Sequence, residues 1–509
     1  MSYTPEDDRT DDALRESYDR LPYETRARRK THPDTLATVA QIFGLAAPVV
    51  ETARVLEIGC GPGENLVAIA TALPRATCVG IDFASTQIDR ASTLATSAGA
   101  GNAQFYCCDF NEIGDRHAPF DFVIAHGLLS WIPPQRHNEL IATCSRCLAP
   151  GGLLFLSYNT LPGWHQRRIV RDYLLHETAD CTDIGDRVRR ARVALSALAD
   201  DIGGIDWAYG RIIRDERDNV AKLGDSYLAH DLLETFNSAF YFSDVVRHAK
   251  THDLHYVGEA AFDAMVPDSY PASIAKPLKT VTDLQKREQR LDFLINRTFR
   301  ESIFVKARQT SGRPDQRALA KLFVASSLTR AMATNGDART VVFRSPSGTE
   351  ISVEPGTVAD ALDALSARFP EARSLDEILG DIQPANGPRL ESADVVALIN
   401  ALFAAFGRGL ISLHSRRPIV RATVESRPLA SPLARAQSQE GSRVTTMLLE
   451  NVDLNDADCR TLLPLLDGRH DVPTLARSLS AADPAESVER TSAALEKMAR
   501  AGLLLPSNQ

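Results

Sequence analysis

The densest chemistry in this sequence is the run Glu57-Ile58-Gly59-Cys60-Gly61-Pro62-Gly63. Glycines at every second position let a backbone turn sharply and approach a ligand, and the helical pattern that follows offers its N-terminal N–H groups. A dinucleotide loop would read GxGxxG, and Glu64 stands where its third glycine belongs. GxGxG behind an acid instead suits a ligand with a cationic amino-acid end and no pyrophosphate, which describes S-adenosylmethionine better than NAD. Further along, Asp82 lies where a Rossmann-type fold keeps its ribose-binding acid. Asp109 and Phe110 suit the adenine amino group and ring face, and His126 opens the next loop toward the same ligand.

These residues need a scaffold that brings them to one edge. Val55 to Ile58, CVGIDFA, AQFYCCDF, FDFVIAHGLLSWI and LAPGGLLFLSYNT read as five strands, separated by helical patterns and ending in acids or polar residues. Five such units predict a doubly wound α/β sheet with ligands across its carboxyl edge. A long helical stretch follows, beginning with GWHQRRIVRDYLLHETAD. A helix capped by Ser243, a strand at Leu254 to Val257 and a final strand near Ser302 to Val305 then complete seven strands. The expectation is a helical insertion at about 163–250, lying over the edge where a substrate enters.

Glu57 to Gly63, Asp82, Asp109 and Pro150-Gly151-Gly152 together resemble the motif series of class I methyltransferases. The segments SYDRLPYETRARRKTHPDTLATVAQIFGL, SYNTLPGWHQRR, YLAHDLLETFNSAFYFSDVV and EQRLDFLINRTFRESIFVK further resemble bacterial methyltransferases with a methyltransferase regulatory domain, rickettsial-type protein lysine methyltransferases among them. This likeness covers roughly residues 15–310, with Ser238 standing where the family usually has Pro. It implies a Rossmann-like methyltransferase domain at 36–310 with its regulatory region at about 225–310, and S-adenosylmethionine as cofactor, while the YDRLPY run with Tyr18 and Tyr23 is expected to fold over the site as a lid segment at 1–35.

Two stretches beyond residue 310 repeat one pattern: VVALINALFAAFGRGLISLH and TSAALEKMARAGLLLPS each run from an amphipathic helix through glycine into a short apolar strand. They predict winged-helix-like modules at 311–417 and 418–509, joined by the Pro/Ser/Arg-rich segment from Arg416 to Gly441. From Pro418 onward there are ten Lys/Arg and twelve Asp/Glu, the wrong balance for phosphate contacts. Protein contact, with a substrate or a second subunit of a homodimer, is the better use of the tail, and its removal is expected to spare cofactor binding.

Composition sets the remaining bounds. The 509 residues carry a net charge of −9, with no basic block for DNA. No apolar run reaches bilayer length, and the acidic N-terminus does not read as a secretory signal, so a cytoplasmic location is expected. Cys144 and Cys147 form a lone CxxC inside a helical stretch, better read as buried side chains than as a metal site.

Methyl transfer from a sulfonium is an in-line displacement that rewards positioning and desolvation. Candidate catalytic residues at the expected edge are Tyr18, His126, Tyr158, Asn159 and Trp164, with Trp131 and Tyr23 nearby. Asn159 could accept a hydrogen bond from an incoming amine, while Tyr158 and Trp164 wall its alkyl stem. The favoured reading is methylation of a protein lysine. A small-molecule or peptide-natural-product N- or O-methyltransferase is the alternative, and a cofactor-binding regulator without catalysis is the third reading.

Overall fold

The strand Arg54–Ile58 (β1) is buried on both faces except at its first residue, as a strand between parallel neighbours must be. In the computed structural model, which describes residues 25–113, 117–307, 312–331, 340–383, 390–479 and 483–506, it lies in the interior of a mixed sheet. Thr77–Asp82 (β2), Ala103–Cys107 (β3), Phe120–Ala125 (β4) and Leu148–Thr160 (β5) run parallel to it. Ala239–Phe240 (β6) is a two-residue strand beside the end of β5. Leu254–Glu259 (β7) and Phe299–Lys306 (β8) close the sheet in the order β3-β2-β1-β4-β5-β8-β7, with β8 antiparallel to both neighbours. The seven-stranded Rossmann-like sheet expected from the sequence is present, with β6 as an eighth, minor strand.

Four helices, Trp164–Glu177, Ile184–Ile202, Ala208–Val220 and Asp225–Leu232, leave the sheet after β5. They bury Leu174, Leu195, Ile213 and Leu228 in a core of their own. The chain rejoins the sheet at β6, earlier than expected, because the Phe242–Thr251 helix buries Phe242, Val245, Val246 and Ala249 in the main core. Its N-cap is Tyr241, and the Ser243 N–H is instead taken by Gln289 Oε1 at 2.9 Å.

Both repeats beyond β8 run helix, left-handed glycine, strand. Ser392–Gly407 leads through Gly409 to Ser412–His414, and Pro484–Arg500 through Gly502 to Leu504–Leu505. The two halves differ in how they are held. The first shares the main core: Phe262, just after β7, packs against Phe43, Phe403 and Phe406 with ring centroids 5.2–6.2 Å apart. Buried Asp34 adds a polar clamp, accepting from the Ser415 N–H and Oγ at 2.7 Å each and pairing with His414 Nδ1 at 2.7 Å. The second half has its own core around Leu462, Leu475 and Leu495.

The segment from Arg416 to Gly441, expected to join the two modules, carries secondary structure of its own. It contributes Leu429–Ala430, paired with Leu504–Leu505, and the helix Pro432–Glu440. The reason is local, because Leu433 and Ala434 give that Pro/Ser/Arg-rich run an apolar face to bury. Among the described residues, no helix is long and apolar enough to cross a membrane, and no group of three or more His, Cys, Asp or Glu is placed to hold a metal ion. Cys144 and Cys147 are buried on the His137–Cys147 helix.

Candidate active site

Glu57 sits one residue before the end of β1, only 4% exposed. Its Oε1 accepts from Asn65 Nδ2 at 2.8 Å, while Oε2 has no partner among the described residues. Burial outweighs that bond and pushes the Glu57 carboxyl up to about 8. The glycine turn then passes into the Glu64–Ala72 helix through Gly63, whose φ of 79° few other residues adopt. A Cβ there would lie 2.7 Å from Ala91 Cβ, so Gly63 serves close packing between two helices rather than ligand contact. Asp82, ending β2, holds the turn from the other side: Oδ2 accepts the Gly61 N–H at 2.9 Å and Oδ1 the Ala84 N–H at 3.0 Å.

A cavity of about 400 Å³ opens along this edge, from Phe83 and Gln87 past β1 and β4 to Trp164 and the insertion. Five of its lining residues carry a buried polar atom with no partner among the described residues: Thr25 Oγ1, Glu57 Oε2, Gln87 Oε1, His126 Nε2 and Asn159 Nδ2. An unsatisfied buried polar group costs about 1–3 kcal/mol. Five around one cavity make a surface built to be completed by a polar ligand.

The loop after β4 is fastened over the end of β5. Gly127 N–H donates to Ser157 Oγ, and Asn159 N–H to Ser130 Oγ, both at 2.8 Å. His126 stacks on Phe155, with centroids 5.9 Å apart. Enclosure, with Arg28 and Lys30 nearby, pushes its imidazole down to about 3, so it is a neutral hydrogen-bonding group and a weak base. Trp131 and Trp164 meet edge to face at 6.4 Å on the far wall. The Trp164 helix starts against the segment leading into β8, since Gly163 N–H donates to the Arg297 carbonyl at 3.1 Å and a Cβ at Gly163 would strike that oxygen.

Of the residues singled out in the sequence, Glu57, Gly59, Gly61, Asp82, His126, Asn159 and Trp164 line the cavity, as does Trp131. Tyr158 does not. The pleat of β5 turns it away from Asn159, and it is wholly buried, with its hydroxyl 3.1 Å from Ser302 Oγ and its ring edge-on to Phe240. Asp109 and Phe110 are closed off by Arg136, which binds both Asp109 oxygens at 2.6–2.7 Å and lies 4.2 Å over the Phe110 ring. Tyr18 and Tyr23 lie outside the described residues.

Sequence reasoning missed Asn65, Gln87, Arg28, Phe299 and the insertion residues Tyr227 and Asp231. Asn65 could have been found, since it sits two residues after the glycine turn. The others come from distant chain positions with no local motif.

Comparison with known proteins fits this geometry. Residues 55–152 match a family model described as a methyltransferase domain, residues 224–306 a predicted methyltransferase regulatory domain, and residues 426–501 the C-terminal winged helix domain of PKMT. Among curated proteins, an uncharacterized protein of Rickettsia prowazekii is 36% identical over 286 residues, 56% of this chain and 52% of the relative. A second uncharacterized protein of that organism is 29% identical over 234 residues, 46% of this chain and 94% of the relative. The chain thus spans about half the length of the first. The solved structure of PKMT2 from Rickettsia typhi in complex with AdoHcy superposes with a TM-score of 0.84 at 23% identity, covering 95% of this chain and 100% of the other, and shows the fold.

Proposed function

We propose that this methyltransferase-domain protein binds S-adenosylmethionine in the 400 Å³ cavity and methylates a lysine amine of a protein substrate. The observation that carries the reading is the ring of five buried polar atoms, without partners among the described residues, at the carboxyl edge of the sheet. Glu57 Oε2 fits the cationic amino-acid end of the cofactor. Asp82, which ends β2 beside the glycine turn and lines the cavity, suits the ribose hydroxyls as a carboxylate acceptor. Asp109 and Phe110 would take the adenine once Arg136 leaves them.

The bound cofactor supplies an electrophilic methyl on a sulfonium, and the residues beside it do the rest. His126 stays neutral and offers Nε2 to the ligand, while Asn159 aligns the incoming nucleophile. Trp131, Trp164 and Phe299 exclude water from the acceptor end, which favours the neutral, nucleophilic form of an amine. The PKMT-type winged helix and the structural likeness to PKMT2 support a protein as acceptor.

The test is to incubate the full chain with methyl-labelled S-adenosylmethionine and whole-cell lysate, then hydrolyse the protein fraction. Methyl-lysine carrying the label is the expected result. Label confined to small molecules would overturn the lysine assignment, and failure to bind S-adenosylhomocysteine in calorimetry would overturn the cofactor assignment.

A further inference from the structure

The insertion contributes one wall of the cavity, and that wall is charged in a way the cofactor end does not explain. Arg167, on the Trp164–Glu177 helix, lies between two carboxylates: its Nε is 3.3 Å from Glu216 Oε1 and its Nη1 is 4.0 Å from Asp231 Oδ2. All three side chains are at least four-fifths buried, at 20% exposure or less. The guanidinium is also committed to a ring, standing 4.8 Å over Trp164. Tyr227, one turn before Asp231 on the Asp225–Leu232 helix, hydrogen-bonds both Asp231 and Arg167 and so fixes where the carboxylate points. Within this group, one cation against two anions leaves negative charge in excess.

Its position along the sheet edge matters. In the order β2-β1-β4-β5-β8, Asp82 and Gln87 belong to the β2 end, whereas Trp164 follows β5, Phe299 begins β8, and Asp231 belongs to the insertion above them. Asn159 Nδ2, on a residue 4% exposed and without a partner among the described residues, opens into the cavity where these two ends meet. A ligand at the far end therefore meets two perpendicular tryptophans and a carboxylate held by a phenol, an environment suited to an alkyl chain tipped by a cation.

We propose that Asp231, positioned by Tyr227, anchors the acceptor's amine as it arrives in its cationic form and then takes its proton, leaving the neutral amine to attack, with Trp131 and Trp164 walling its alkyl stem. A carboxylic or phosphorylated acceptor would be repelled by the same wall. The assignment rests on the methyl-transfer reading for its consequence, but binding of the amine is measurable without transfer.

The full chain is titrated with Nα-acetyl-lysinamide and with its uncharged counterpart Nα-acetylnorleucinamide, with and without S-adenosylhomocysteine, following tryptophan fluorescence. The wild type is expected to prefer the lysine probe about tenfold, which corresponds to roughly 1.4 kcal/mol. Asp231→Asn should erase that preference while leaving S-adenosylhomocysteine affinity within about twofold, and Tyr227→Phe should reduce it about threefold. A wild type without preference, or an Asp231→Asn protein that keeps it, overturns the assignment. If Asp231→Asn does not fold, an unchanged preference in Tyr227→Phe overturns it instead. Lysine preference without S-adenosylhomocysteine binding would leave the amine site standing and defeat the methyl-transfer reading.

Discussion

The Asn65 amide holds one oxygen of Glu57 at 2.8 Å and leaves the other facing the cavity without a partner among the described residues. That half-satisfied carboxyl, buried from solvent, sets a pH response both for the empty protein and for ligand binding.

Between pH 4.5 and about 8 the folded protein holds a proton on Glu57 that the unfolded chain has lost. Its contribution to stability therefore falls as pH rises through that window, by up to roughly 1.4 kcal/mol per unit. Glu57→Gln should flatten this slope in denaturant titrations. The same variant should remove a pH dependence of S-adenosylmethionine affinity, which in the wild type is expected to strengthen toward pH 8 as Glu57 ionises. Identical pH profiles for the two proteins would refute the assignment.

His126 and His32 shape the acid side of the profile. Both are pushed by burial from 6.5 down to about 3, so the folded state rejects protons that the unfolded chain takes up. Stability is lost as pH falls from 6.5 toward 3. Replacing His32, whose Nδ1 caps the Pro33–Ile42 helix, with Asn should keep the cap and lessen the acid loss. NMR titration should show the His126 ring still neutral at about pH 5, midway through that window.

Asp82→Ala removes the acceptor for two backbone N–H groups as well as the proposed ribose contact. Calorimetry should show S-adenosylmethionine affinity down by about 100-fold, and unfolding should show a loss of about 1–3 kcal/mol. Unchanged affinity would mean that the ribose lies elsewhere.

Asn159→Ala deletes an amide nitrogen that has no partner among the described residues. The melting temperature should therefore hardly move, while turnover drops roughly 10- to 100-fold if the amide aligns the nucleophile. Stability falling in step with activity would mark Asn159 as structural.

The tail reaches the cofactor end. Asn451 Nδ2 donates to the Ala27 carbonyl at 2.9 Å and Glu450 pairs with Arg29 at 3.3 Å, on either side of cavity-lining Arg28. Removing residues 422–509 should thus weaken S-adenosylhomocysteine binding severalfold, contrary to the expectation from sequence. Asn451→Ala should reproduce part of that loss, and affinity identical to the full chain would show that the contacts are incidental.

Local residue order was enough to specify the parallel sheet and the glycine turn. Val55–Ile58, the Gly59–Gly63 spacing and Asp82 are short-range signals, because strand burial, turn conformation and a strand-end acid are written within about 30 residues of one another. The helix–glycine–strand repeats of the tail were legible for the same reason, since Gly409 and Gly502 both take left-handed backbone just past a helix. Membership of the cavity, by contrast, depended on long-range packing that no short window encodes. Asp231 and Tyr227 share a cavity with Trp164 because four insertion helices fold back on a core of their own, and the carbonyl beside Arg28 is held by Asn451, 424 positions from Ala27. Tyr158 and Asn159 are neighbours in sequence with opposite fates, because the pleat of β5 and its antiparallel partner β8 send one into the core and the other into the site.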